Sequence, residues 1–169
     1  MKKEYYLKLR KKYKPEKLNI VFILEPPPVS GKYFYKEEDS IKEPLFAVMM
    51  KLIGFKPDNK REGLIYFAKS GFLIVDAIYE PVNQLKGKKR DDTILKNYTD
   101  LVADLNGLED SKKISIILVK ANICRLFEKR LVQDGFNVQN HGIKIPFPST
   151  GHQNKFQSEV RKVMSKAVI

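Results

Sequence analysis

Asn19-Ile20-Val21-Phe22-Ile23-Leu24-Glu25-Pro26-Pro27-Pro28-Val29-Ser30-Gly31-Lys32-Tyr33-Phe34-Tyr35 is the stretch from which the fold can be read. Its five apolar residues, Ile20 to Leu24, run without alternation, the pattern of a strand buried on both faces. Each of the three prolines after Glu25 fixes its own φ and lacks an N–H, so the ladder must stop at Glu25 and the chain must leave along a stiff, extended path. Ser30-Gly31 permits a sharp turn, and Lys32-Tyr33-Phe34-Tyr35 adds a cation and three aromatic rings. Ligands of open α/β sheets bind outside the carboxyl ends of the strands, which makes this loop the first candidate site.

Outward from that strand, apolar runs alternate with amphipathic stretches. Ser40 is placed to cap a helix through Gly54, with Pro44 in its first turn. A second helix is expected from Asp58 to Ser70, with Leu64, Ile65, Phe67 and Ala68 inward and Gly71 as its terminator. Phe72 to Ile78 reads as a second buried strand, carrying Asp76 near its carboxyl end. An irregular loop then leads through Lys86-Gly87-Lys88-Lys89-Arg90, a flexible basic cluster, to a helix that starts at Asp91-Asp92 and ends at Asn106-Gly107. Ile114 to Val119 is a third strand, residues 122–133 a helix and Gly142 to Phe147 a fourth strand. Its exit loop, Pro146 to Asn154, leads into a final helix that Ser149 or Thr150 can cap. Upstream, residues 1–17 read as a basic helix with Tyr6, Leu9 and Tyr13 along one stripe, suited to phosphate contact or simply solvated. The alternation predicts right-handed crossovers and a three-layer α/β/α sandwich around a short, mainly parallel, four-stranded sheet. Residues 18–169 form one domain, on which residues 1–17 pack.

The 169 residues are 43% hydrophobic, enough for one core. Lys and Arg number 32 against 20 Asp and Glu, a net charge of +12 that attracts polyanions, nucleic acid first among them, or else serves solubility. One cysteine, Cys124, excludes an internal disulfide and fits a reducing compartment. No apolar run spans a membrane and no signal-peptide core is visible, so a cytoplasmic monomer without membrane attachment is expected. Two histidines far from the cysteine offer no zinc-ligand spacing, and neither metal nor cofactor is expected.

Three exit loops should converge at one sheet edge: residues 25–35, 76–83 and 148–155. They bring two carboxylates, clustered aromatics, amides and small hydroxyls to a basic surface. That mixture suits a polar planar ligand carried on an anionic polymer, such as a base extruded from single- or double-stranded DNA.

The same residues carry a family resemblance. Leu64-Ile65-Tyr66-Phe67-Ala68-Lys69-Ser70-Gly71-Phe72-Leu73-Ile74-Val75-Asp76 resembles the helix, glycine and strand that present the base-reading asparagine of the uracil-DNA glycosylase superfamily. Phe147-Pro148-Ser149-Thr150-Gly151-His152 is similar to that family's His-Pro-Ser loop, which grips the minor groove. Leu24-Glu25-Pro26-Pro27-Pro28 is placed like its first motif. The resemblance spans roughly residues 18–164 and implies base excision by hydrolysis of an N-glycosidic bond. It departs at three positions: Pro27 stands where the family has its aspartate, Asp76 where it has asparagine, and Phe147 where it has histidine. Phe147 cannot donate a hydrogen bond to a departing base, and an ionised Asp76 only accepts. A modified base bearing N–H donors is therefore expected rather than uracil.

The resemblance and the loop positions together give each residue a role and an alternative. Glu25 would stabilise an oxocarbenium-like sugar and orient water, or pair with a neighbouring lysine. Asp76 would read the base, or accept loop amides. Tyr33, Phe34 and Tyr35, with Asn83 and Phe147, would line a base site in which one ring stacks. Ser30, Gly31, Lys32, Lys86, Lys88, Lys89, Arg90, Ser149, Thr150, Gly151, His152, Gln153 and Lys155 would meet DNA, His152 as wedge or phosphate contact. The rival reading is a nucleic-acid-binding protein that keeps the fold without the chemistry.

Overall fold

In the computed structural model, which describes residues 3–167, β1 (Ile20–Leu24), β2 (Phe72–Asp76) and β3 (Ser115–Leu118) form one parallel sheet in the order β2-β1-β3. Leu24 lies opposite Asp76 and Ile23 opposite Leu118, so the three strands end nearly level. All but Ser115 of these strand residues are buried, as runs without alternation require. Two groups of helices cover the sheet. One comprises α2 (Pro44–Leu52), α3 (Lys60–Lys69) and α7 (Gln153–Ala167); the other comprises α4 (Gly87–Lys96), α5 (Tyr98–Asn106) and α6 (Ala121–Gln133).

The fourth strand does not form. Gly142 to Phe147 contributes one isolated bridge, Ile145 to Val119, and a second bridge joins Val138 to Ile116. Between them the buried side chain of Asn140 takes the place of a strand: its Oδ1 accepts from the Leu118 N–H at 2.8 Å and its Nδ2 donates to the Leu118 carbonyl at 2.9 Å. His141 and Gly142, both at positive φ, then turn the chain, and Pro146 has no N–H to offer a ladder. At the opposite edge, the Tyr35 hydroxyl accepts from Ile74 N at 2.7 Å and lies 3.4 Å from the Ile74 carbonyl, to which it donates. Each edge of the sheet is thus closed by a side chain, which removes the open ladder that another chain could join.

Helix starts differ from the sequence expectation for local reasons. α2 begins at Pro44, because a residue before proline avoids the helical region; Glu43 sits at ψ 129°, and Ser40 instead accepts from Lys42 N. Asn59 caps α3 by accepting from Glu62 N, and Ile65 is 40% exposed on its outer side. The cluster around Lys88 is the first turn of α4 rather than a flexible loop, and the long helix expected here breaks at Asn97. Ser149 and Thr150 stand in the turn before α7 and, among the described residues, make no side-chain hydrogen bond to cap it. The N-terminal helix, α1 (Lys3–Lys11), is docked: Tyr6 is buried, and Arg10 makes a two-pronged pair with Asp104 of α5 at 2.9 and 2.6 Å. No helix among the described residues is long and apolar enough to cross a membrane.

Candidate functional site

The prolines carry β1 out of the sheet directly into a cluster of charge. One Glu25 oxygen accepts from both Arg90, in the first turn of α4, and Lys120, in the turn before α6; the other accepts from Asn122 in α6. The Glu25 side chain is 9% exposed. Lys120 holds φ 83°, costly for a residue with a Cβ, and its N–H bonds the Ile145 carbonyl at 2.8 Å. Glu25 therefore ties the exit of β1 to the starts of two helices, as in the alternative of pairing with a lysine. Arg90, counted among the cations for DNA, is spent on this pair.

Tyr33, Phe34 and Tyr35 are all buried, so a stacking role would require one of them to leave the core. Their position is fixed by Lys60, whose fully buried side chain donates to the Tyr33 carbonyl at 2.8 Å and to Glu43 at 2.9 Å. Asp39 accepts from Tyr33 N at 2.8 Å. Sequence reasoning missed Lys60 because a lysine in a first helical turn has the pattern of a surface residue.

Asp76, 5% exposed, ends β2 on the other side of this loop. Its Oδ2 accepts from the Tyr33 hydroxyl at 3.0 Å, and among the described residues its second oxygen has no hydrogen bond. Burial raises the carboxyl to about 7, with the Tyr33 bond and the Arg10 charge opposing and Asp104 adding to the rise. Tyr33 is pushed far above the usual phenol range, by burial first and then by Asp76. Asp76 opens on a cavity of about 370 Å³ beside Ala77, Ile78, Tyr79 and Glu80, with Lys3 and Glu4 of α1, Asn97 at the break between α4 and α5, and Asp100 and Leu101 of α5 around it. Tyr79 is held in turn by Arg10 at 2.9 Å and by Asp104 at 3.2 Å. The helical period of residues 3–11 was the only sequence signal that α1 could reach this place.

Among the described residues the two carboxylates share no hydrogen-bond partner: Glu25, one position beyond the in-register neighbour of Asp76, meets Arg90, Lys120 and Asn122, whereas Asp76 meets Tyr33. The first two exit loops do meet, since Asn83 accepts from Val29 N at 3.2 Å. Around them Ser30, Lys32, Lys86, Lys88 and Lys89 are exposed, while Gly31 is buried at φ 76°. In the third loop Phe147 and Gln153 are half-buried, and Ser149, Thr150, Gly151, His152 and Lys155 are exposed.

No family model, curated protein or solved structure matches the chain. Among the described residues, no group of three or more His, Cys, Asp or Glu side chains is placed to hold a metal ion.

Proposed function

We propose that the protein binds DNA at the carboxyl edge of its sheet and admits an extruded, modified base to the cavity over Asp76, after the manner of the glycosylase superfamily it resembles. The observation that carries this reading is Asp76 itself: a strand-end carboxyl, 95% shielded from solvent, with one oxygen fixed by Tyr33 and a cavity of about 370 Å³ in front of it. That volume lies in the ~300–1,000 Å³ range of ligand pockets. With its carboxyl raised to about 7, Asp76 can accept from an amino or protonated ring nitrogen when ionised, and donate as well as accept when neutral. Glu4, Glu80 and Asp100 around the cavity oppose a phosphate, so the base enters and its backbone stays outside. The exposed Lys32, Lys86, Lys88 and Lys89 flank the first two loops, where a backbone would run.

The commitment of Glu25 to three donors favours a second reading, in which the protein captures a base without hydrolysing its glycosidic bond. A panel of oligonucleotides carrying single uracil, hypoxanthine, xanthine or alkylated bases separates the two. Binding that weakens with salt, with abasic product lost in Asp76→Asn, supports the enzyme; binding without product supports capture alone. Absence of salt-sensitive binding contradicts both.

A further inference from the structure

Parallel strands in the order β2-β1-β3 place the reversal of winding between β1 and β3, the crevice where open α/β sheets bind ligands. Glu25 leaves from β1 at this crevice and Lys120 from β3, and the space between them is filled by the Glu25 carboxylate. We infer that this is an anion site, built for a phosphate group, in which Glu25 is the internal occupant.

Four observations support it. Two cations, Arg90 and Lys120, converge on one carboxylate, so the cluster keeps an excess positive charge with Glu25 in place. Lys120 takes its position at a left-handed φ of 83°, which only a glycine would adopt without strain; the strained backbone holds an ammonium at the crevice. α6, thirteen residues long, starts here with no side-chain cap among the described residues, so its first N–H groups and its dipole face the same end of the sheet. The fourth is an incomplete fit. Glu25 takes an Arg90 terminal nitrogen and the Asn122 amide nitrogen, and among the described residues Arg90 Nε, like the acceptor Asn122 Oδ1, is left buried without a partner. A guanidinium meets phosphate through two parallel N–H groups, so a tetrahedral anion would satisfy the nitrogen that Glu25 leaves bare.

The phosphate can be inorganic or part of a polynucleotide backbone, and the site stands whether or not the cavity at Asp76 takes a base. Thermal unfolding of wild type, Glu25→Gln and Glu25→Gln/Arg90→Ala, in phosphate and in chloride at matched ionic strength, reads the site directly. Phosphate is expected to raise the Tm of Glu25→Gln more than that of wild type, and to lose this extra effect when Arg90 is also removed. Equal shifts in all three proteins overturn the inference. Should Glu25→Gln not fold, the Nε–H resonance of Arg90 in wild type replaces it: movement on titration with phosphate but not chloride supports the site, and a resonance indifferent to both overturns it. Titration with a short single-stranded oligonucleotide separates the sources. Capture of a backbone phosphate steepens the salt slope of log Kd in Glu25→Gln by about 0.7 relative to wild type, the value for a single strand. An unchanged slope beside a phosphate-specific Tm shift assigns the site to inorganic phosphate.

Discussion

Asp76 opposes the stability of the fold to the extent that it is charged. An unfolded aspartate titrates near ~3.9, whereas burial holds Asp76 at about 7 in the native protein. Below both values the group is protonated in either state and its effect is nil. As pH rises between them the unfolded chain releases the proton first, so the native state is disfavoured by ~1.4 kcal/mol per pH unit until pH passes 7. Asp76→Asn, which keeps the acceptor for Tyr33, is therefore expected to leave stability at pH 4 almost unchanged and to raise it by a few kcal/mol at pH 8. Urea unfolding at the two pH values checks this; equal effects at both would show that Asp76 is ionised throughout. Arg10 makes the complementary case. Its pair with Asp104 is nearly buried, at 11% and 15% side-chain exposure, so Arg10→Ala strands a carboxylate near Asp76 and should cost ~3–5 kcal/mol. A calorimetric loss below ~1 kcal/mol would mean that α1 is not docked through this pair.

The elements show what was legible and what was not. All three strands, and the arrangement of strand, helix and parallel crossover, follow from runs such as Ile20 to Leu24 and Phe72 to Asp76 that are apolar on both faces. The fourth strand was misread because apolar residues alone do not reveal that Asn140, two positions before Gly142, spends its amide on Leu118. The burial of all three aromatics was not legible locally either: Tyr33, Phe34 and Tyr35 stand in a basic loop, and the buried Lys60 that holds the run inward is 25 or more residues away. Glu25 and Asp76 were found as strand ends, yet local sequence gives no sign that Arg90, Lys120 and Asn122 gather on the first and leave the second open. Edge closure has its own test. Tyr35→Phe orphans the N–H and C=O of Ile74, and Asn140→Ala those of Leu118, at ~1–3 kcal/mol per group. Denaturant midpoints should fall in both variants with unchanged slope; a neutral Tyr35→Phe would show that water serves the edge equally well.

At the scale of the molecule, charge is unevenly placed. The surface is basic overall, at +12, while the cavity over Asp76 has Glu4, Glu80 and Asp100 around it against Lys3. This division suits a polyanion that lies along the outside and sends inward only its uncharged or cationic part. Under the proposed reading the four exposed lysines of the first two loops would meet the backbone, because Arg90 and Lys120 are committed to Glu25. The direct measurement is the affinity for a short DNA between ~50 and ~200 mM salt, for wild type and for Lys32, Lys86, Lys88 and Lys89 replaced together by alanine. Log Kd for wild type is expected to vary linearly with log salt, and the replacement to lower the slope by about 0.9 for each phosphate that no longer meets a lysine. A wild-type affinity indifferent to salt, or a slope untouched by the four replacements, would contradict DNA binding at the carboxyl edge of the sheet.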